Sequence, residues 1–142
     1  LHQSGRGRRE ALEARYRELG VAATVVEFID DMAGAYRQAD LLVCRSGAMT
    51  IAEIAAIGVA SVLVPYPHAV DDHQTGNARF LSGQGAAVLM PQSELASDRL
   101  AAALGGFDRP GLAAMAARAR ALARPDAARR VADVCVEAAR SS

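Results

Sequence analysis

Three short segments gather the residues that could do chemistry: EFIDDM (27–32), CRSGAMTIAE (44–53) and VPYPHAVDDHQTGNA (64–78). In the middle one a strand ends at Cys44, Ser46-Gly47 allows close approach to the backbone, and a helix begins near Ala48 to Thr50. Free main-chain amides at a helix start, with the helix dipole behind them, bind phosphate without a cationic side chain. That suits a chain whose 16 basic residues are all arginine. Without lysine, Schiff-base, Walker-type and phosphorelay chemistries are excluded. Glu53 stands one turn into the helix, where a carboxylate can accept two hydrogen bonds from a ribose diol. Thr50-Ile51-Ala52-Glu53 is equally a capping box, in which Glu53 returns to the amide of Thr50. Spacing alone leaves both readings open.

In the first segment, Phe28 and Ile29 offer an apolar shelf with exposed backbone at a strand end, suited to reading a flat base by main-chain hydrogen bonds. A core strand followed by an Asp-capped helix explains the same residues. Asp30-Asp31 resembles half of a metal site but lacks a third nearby ligand. In the third segment, Gln74 and Asn77 are three apart, so they can face one side of a helix start and reach sugar hydroxyls. His68 and His73 are five apart and His73 with Asp72 invites a metal or acid-base reading, yet two histidines without a third ligand make a weak site, and Asp71-Asp72 fits a helix cap. The expectation is a site with no metal and no cofactor.

The elements that position these segments follow from periodicity. A helix is predicted from about Arg8 to Leu19, with Leu12, Tyr16 and Leu19 on one face and Gly20 as its stop. Val25, Val26 and Phe28 form a short strand, followed by a helix carrying Met32, Ala35 and Tyr36 behind Asp30 or Asp31. The unit repeats as Leu41 to Cys44 with a helix from about Thr50 to Ile57, then as Ser61 to Val64 with a helix near Gln74 to Leu81. Ala86 to Leu89 makes one more strand. Such alternation implies a parallel sheet, and continuous apolar strands such as Leu41-Leu42-Val43 imply helices on both faces. Beyond about residue 93 the chain reads as a helical tail, divided by Gly105-Gly106 and Pro125 into three helices. Leu112, Met115 and Leu122 mark the middle helix, and Val131, Val134, Cys135 and Ala138 the last, each an apolar stripe that needs a partner.

Length and composition bound the rest. A chain of 142 residues, 51% hydrophobic and 23% charged, can bury one core and reads as a single domain over 1–142. Its formal charge is zero, so no overall field attracts nucleic acid. Cys44 and Cys135 make no metal-ligand spacing and read as free thiols of a reducing cytoplasm. The stretch from Val59 to Pro65 is too short to span a bilayer. Leu1-His2-Gln3 reads as the end of a strand begun upstream, so the domain is expected to be N-terminally incomplete.

HQSG, EFIDDMAGAYRQAD, CRSGAMTIAE and VPYPHAVDDHQTGNA, in this order, resemble the C-terminal domain of the MurG family, and RARALARPDAARRVADV resembles that family's closing helices. The resemblance covers nearly the whole chain. It implies a Rossmann-like α/β domain, the C-terminal half of a GT-B glycosyltransferase. It also implies inverting, metal-independent transfer of N-acetylglucosamine (GlcNAc) from UDP-GlcNAc to lipid I, giving lipid II for peptidoglycan. Carried over by residue, Ile29 would meet the uracil, Ala48, Met49 and Thr50 the diphosphate, and Glu53 the ribose. Gln74 would contact the GlcNAc, and Ile51 and Ala52 complete the donor-binding stretch. The family's acceptor-facing glycine-rich loop, its N-terminal domain and a serine-bearing glycine loop have no counterpart here, so no catalytic residue is assigned in this chain. The implied setting is cytoplasmic, peripheral on the inner face of the bacterial plasma membrane. Rival readings are a GT-B-fold UDP-GlcNAc epimerase-like domain and a non-catalytic nucleotide-sugar module that needs a partner subunit. A receiver domain would require the lysine this chain lacks.

Overall fold

A computed structural model describes residues 1–68 and 72–140. The chain divides into two compact units, Leu1–Ala35 and Tyr36–Ser142. In the first, β1 (His2–Gln3) lies parallel to β2 (Val25–Val26), with His2 opposite Val25 and Gln3 opposite Val26. The crossover is α1 (Arg9–Glu18). It ends as its sequence dictates: Gly20, at φ 65°, donates to Arg17 O (3.0 Å) and Val21 to Tyr16 O (2.9 Å), a Schellman closure. The predicted stripe is only partly covered, since Leu12 and Tyr16 are half-buried and Leu19 is exposed. The strand stops at Val26, and Phe28, expected within it, stands exposed beyond its end. Asp31 then caps α2 (Met32–Gln38), its Oδ1 accepting from Gly34 N at 2.8 Å.

The second unit is built on a parallel three-stranded sheet of β3 (Leu41–Cys44), β4 (Ala60–Leu63) and β5 (Val88–Leu89), with β4 in the middle. All four β4 residues are buried, so both faces of the strand are covered. Alternation sends Val62 and Val64 to one face, where they pack with Met90, Leu100, Ala103 and Phe107. Leu100 and Ala103 come from α5 (Ser97–Gly105). The other helices are α3 (Ala48–Ile57), α4 (His73–Ser82) and α6 (Arg109–Ala121). Helix α6 packs on α3 and β4 and buries Met115 and Ala119, while α4 packs on α3 and β5. Ile54, Leu63 and Leu81 are wholly buried, each contributing about 1.5–3 kcal/mol. Helix α3 stops at Gly58, whose φ of 74° favours glycine and whose added Cβ would lie 2.9 Å from Arg120 Cβ.

Asp108 caps α6 by accepting from Gly111 N at 2.7 Å. The last helix, α7 (Ala127–Arg140), buries no residue. Its stripe was expected to pack, but Val131 and Val134 are 65% and 64% exposed.

Candidate functional site

The turn between β3 and α3 is held from two directions. Ser46 is fully buried, its Oγ donates to Gln74 O (2.8 Å), and its own carbonyl accepts from Asn77 Nδ2 (3.1 Å). One guanidinium nitrogen of Arg45 donates to Val64 O (3.3 Å) and Pro65 O (3.1 Å), and the same group lies 5.5 Å from the centre of the Tyr66 ring. Tyr66 N donates to Gln74 Oε1 at 3.0 Å. The ends of β3 and β4 and the start of α4 are thereby tied into one rigid corner beyond the carboxyl ends of the strands, where open parallel sheets place their ligands.

Helix α3 begins at that corner. Gly47 is its N-cap, with extended backbone and no side-chain capping bond, and the first ladder bond runs from Ile51 N to Gly47 O at 3.0 Å. The amides of Ala48, Met49 and Thr50 therefore precede the ladder and have no intrahelical acceptor. This overturns the capping-box alternative. Thr50 is the third residue inside the helix rather than its cap, so Glu53 has no cap amide there to return to. Ala48, Met49 and Glu53 are exposed, Met49 to 73%, and Thr50 is half-buried. Ile51 differs from them. Its side chain is buried and its amide is engaged in the ladder, as Ala52's position inside the helix also implies for its own amide.

Two ionisable groups register this environment. Burial, and secondarily the charges of Cys44 and Glu53, push the Tyr36 phenol up to about 12. Burial alone pushes the Cys44 thiol up to about 11. Both groups stay neutral near pH 7.

The remaining candidates are placed as follows. Ile29, in the first unit, is half-buried, and its amide donates to Gln3 Oε1 at 3.1 Å. Gln74 and Asn77 do share one side of the α4 start, but the structure engages both internally: Gln74 Oε1 by Tyr66 and Asn77 Nδ2 by Ser46. His68 stacks edge-on against Tyr66 with centroids 5.5 Å apart, and His73 is the first residue of α4. Asp72 caps α4 by position without a side-chain bond to the helix backbone, and its Oδ1 accepts from the Thr75 hydroxyl at 2.6 Å. Asp71, the other cap candidate, lies outside the described residues. Among the described residues, no three of His, Cys, Asp and Glu gather as a metal site.

A groove of about 650 Å³ runs along another flank of α3, lined by Ala52, Ala55, Ala56, Phe80, Leu122 and Pro125 among others. It shares Ala48, Ile51 and Ala52 with the predicted contacts, is mainly apolar but also lined by Arg120 and Arg124, and holds none of the corner's polar groups. The turn was read from Arg45 onward with Ser46-Gly47 in it, but the long-range bonds by which Arg45, Ser46 and Tyr66 fix the corner were not anticipated. Arg45, a lone cation at a strand end directly before Ser-Gly, was the available signal.

Parallel sheets with helices packed on them define a Rossmann-like α/β domain. The family match is specific: residues 1–131 fit the glycosyltransferase family 28 C-terminal domain, and the chain belongs to that family. It is similar to the UDP-N-acetylglucosamine--N-acetylmuramyl-(pentapeptide) pyrophosphoryl-undecaprenol N-acetylglucosamine transferase of Ralstonia nicotianae, 57% identical over 99% of this chain and 40% of the relative. The protein of the same name from Aromatoleum aromaticum is also 57% identical, over 97% of this chain and 39% of its own length. The crystal structure of Acinetobacter baumannii MurG superposes with a TM-score of 0.87 at 43% identity, covering 94% of this chain and 41% of that one. The chain thus spans about two fifths of the length of these relatives.

Proposed function

We propose that this chain is the donor-binding part of an inverting glycosyltransferase that moves GlcNAc from UDP-GlcNAc to lipid I, and that the acceptor is held by a region outside residues 1–142. The observation that carries the reading is the α3 start: three amides ahead of the ladder, on a turn fixed by Ser46 and Arg45. We assign the diphosphate to Ala48, Met49 and Thr50, with Ile51 and Ala52 anchoring the helix behind them. Glu53 takes the ribose diol. In the first unit, the main chain of Ile29 reads the uracil.

Gln74 is oriented by its own hydrogen bond. A backbone N–H such as that of Tyr66 needs an acceptor, so the carboxamide oxygen faces Tyr66 and the Nε2 end is turned to donate to a sugar hydroxyl. When the glycosidic bond to UDP breaks, negative charge grows on the leaving β-phosphate. Fixed amides at a helix start stabilise that charge without reorganising, which is how this part of the protein would lower the barrier. The base that deprotonates the acceptor hydroxyl is assigned outside this chain.

Among the described residues no helix is long and apolar enough to cross a membrane. Contact with the inner face of the plasma membrane is assigned to the whole protein. Calorimetry with UDP-GlcNAc and its 4-epimer UDP-GalNAc tests the sugar assignment. UDP-GlcNAc binds more tightly if the loop around Gln74 reads the 4-hydroxyl, and equal affinities reject that role.

A further inference from the structure

Resting on the reading of Ile29 as the uracil contact, we infer that Gln3 is a built-in surrogate for the uracil edge, one that fills the base-reading amide in the empty protein and gives it up to the nucleotide. Strand β1 ends at Gln3, opposite Val26, and Ser4 fastens that end by donating to Val26 O from both its amide (2.8 Å) and its hydroxyl (3.2 Å). From this fixed point the Gln3 side chain reaches past the end of β2, and its Oε1 accepts from Ile29 N at 3.1 Å.

The bond lies at an exposed position, where water would satisfy the amide equally well. Burial therefore does not demand it, and its net worth is small enough for a ligand to displace it. Its chemistry is specific nonetheless. A carboxamide carries a carbonyl acceptor beside N–H donors, the same pair that uracil shows at its C4 carbonyl and N3–H. Cytosine shows an amino donor and a ring acceptor there, the reverse order. Uracil exchanges like for like with Gln3 at the Ile29 amide, whereas cytosine would trade an acceptor for a donor. Gln3 thus acts as a competitor that lowers affinity for the base rather than as a substrate contact.

The test is calorimetry of the 142-residue chain and its variants with UDP, CDP and inorganic pyrophosphate, beside the amide spectrum of Ile29. Gln3→Ala frees the amide, so its resonance shifts in the empty protein and UDP binds about 2- to 5-fold more tightly, while pyrophosphate binding is unchanged. Gln3→Glu keeps an acceptor that is now charged, so UDP binds more weakly than to the parent. UDP affinity of Gln3→Ala equal to or below the parent's, with its melting temperature preserved, overturns the surrogate role. If the parent itself binds UDP no better than CDP, the uracil assignment of Ile29 fails and the surrogate falls with it. If the parent prefers UDP and the alanine variant does not gain, only the surrogate fails.

Discussion

Two buried serines make the same substitution a test of opposite outcomes. Ser46 and Ser61 are each fully buried. The Ser46 hydroxyl donates to Gln74 O at 2.8 Å, whereas among the described residues Ser61 Oγ has no hydrogen-bond partner. Ser46→Ala removes one bond while the Gln74 carbonyl keeps its place in the α4 ladder, a loss of about 0.5–1.5 kcal/mol. For a chain of this size that lowers the melting temperature by about 2–5 °C. It also loosens the turn that presents the Ala48, Met49 and Thr50 amides, so UDP affinity falls as well. Ser61→Ala deletes a hydroxyl already stripped of water without a bond in return. Its loss is expected to lie between neutral and about 1 kcal/mol of stabilisation, with UDP affinity unchanged. Urea and thermal unfolding of the two variants beside the parent give the signs directly. If Ser61→Ala destabilises as much as Ser46→Ala, or if Ser46→Ala is indistinguishable from the parent, the account of the corner is wrong.

Three further outcomes can be measured. With the capping box excluded, Glu53→Gln leaves α3 intact and weakens UDP binding by about 10-fold, as expected for loss of a charged acceptor on a diol; unchanged affinity at unchanged melting temperature removes Glu53 from the site. For the thiols, exposed Cys135 reacts rapidly with a disulfide reagent at pH 8, while Cys44, held near 11 by burial, stays unreactive in the folded protein. Because the folded value of Cys44 is raised, its linked stability is complete below pH 9, the ordinary thiol value, and is lost as pH rises towards 11. Equal labelling rates, or a loss of stability across pH 9–11 no steeper in the parent than in Cys44→Ala, would refute the burial of this thiol.

The sequence by itself determined the elements and their order. Leu41–Cys44 is a strand at the limits its apolar run implies, and Gly20, Asp31 and Asp108 end or begin helices through bonds to residues three or four positions away. These features are legible because periodicity, caps and stops act within a turn or two of chain. The turn between β3 and α3 was legible for the same reason, since a strand end, Ser-Gly and a helix start are all local.

Tertiary structure decided what lies between such segments. Helix α3 starts at Ala48 behind Gly47, on a turn whose Ser46 hydroxyl is taken by Gln74 28 residues away. Gln74 and Asn77 looked free to meet a sugar, yet long-range partners claim one end of each side chain and thereby orient it. The contact of Gln3 with Ile29 exists only because parallel pairing of β1 with β2 brings residues 26 apart together. A hydrogen bond of that span carries no local signature: its two partners are ordinary polar groups until the fold closes the chain between them, and the folding of the whole domain then fixes which of several equally good acceptors each donor receives.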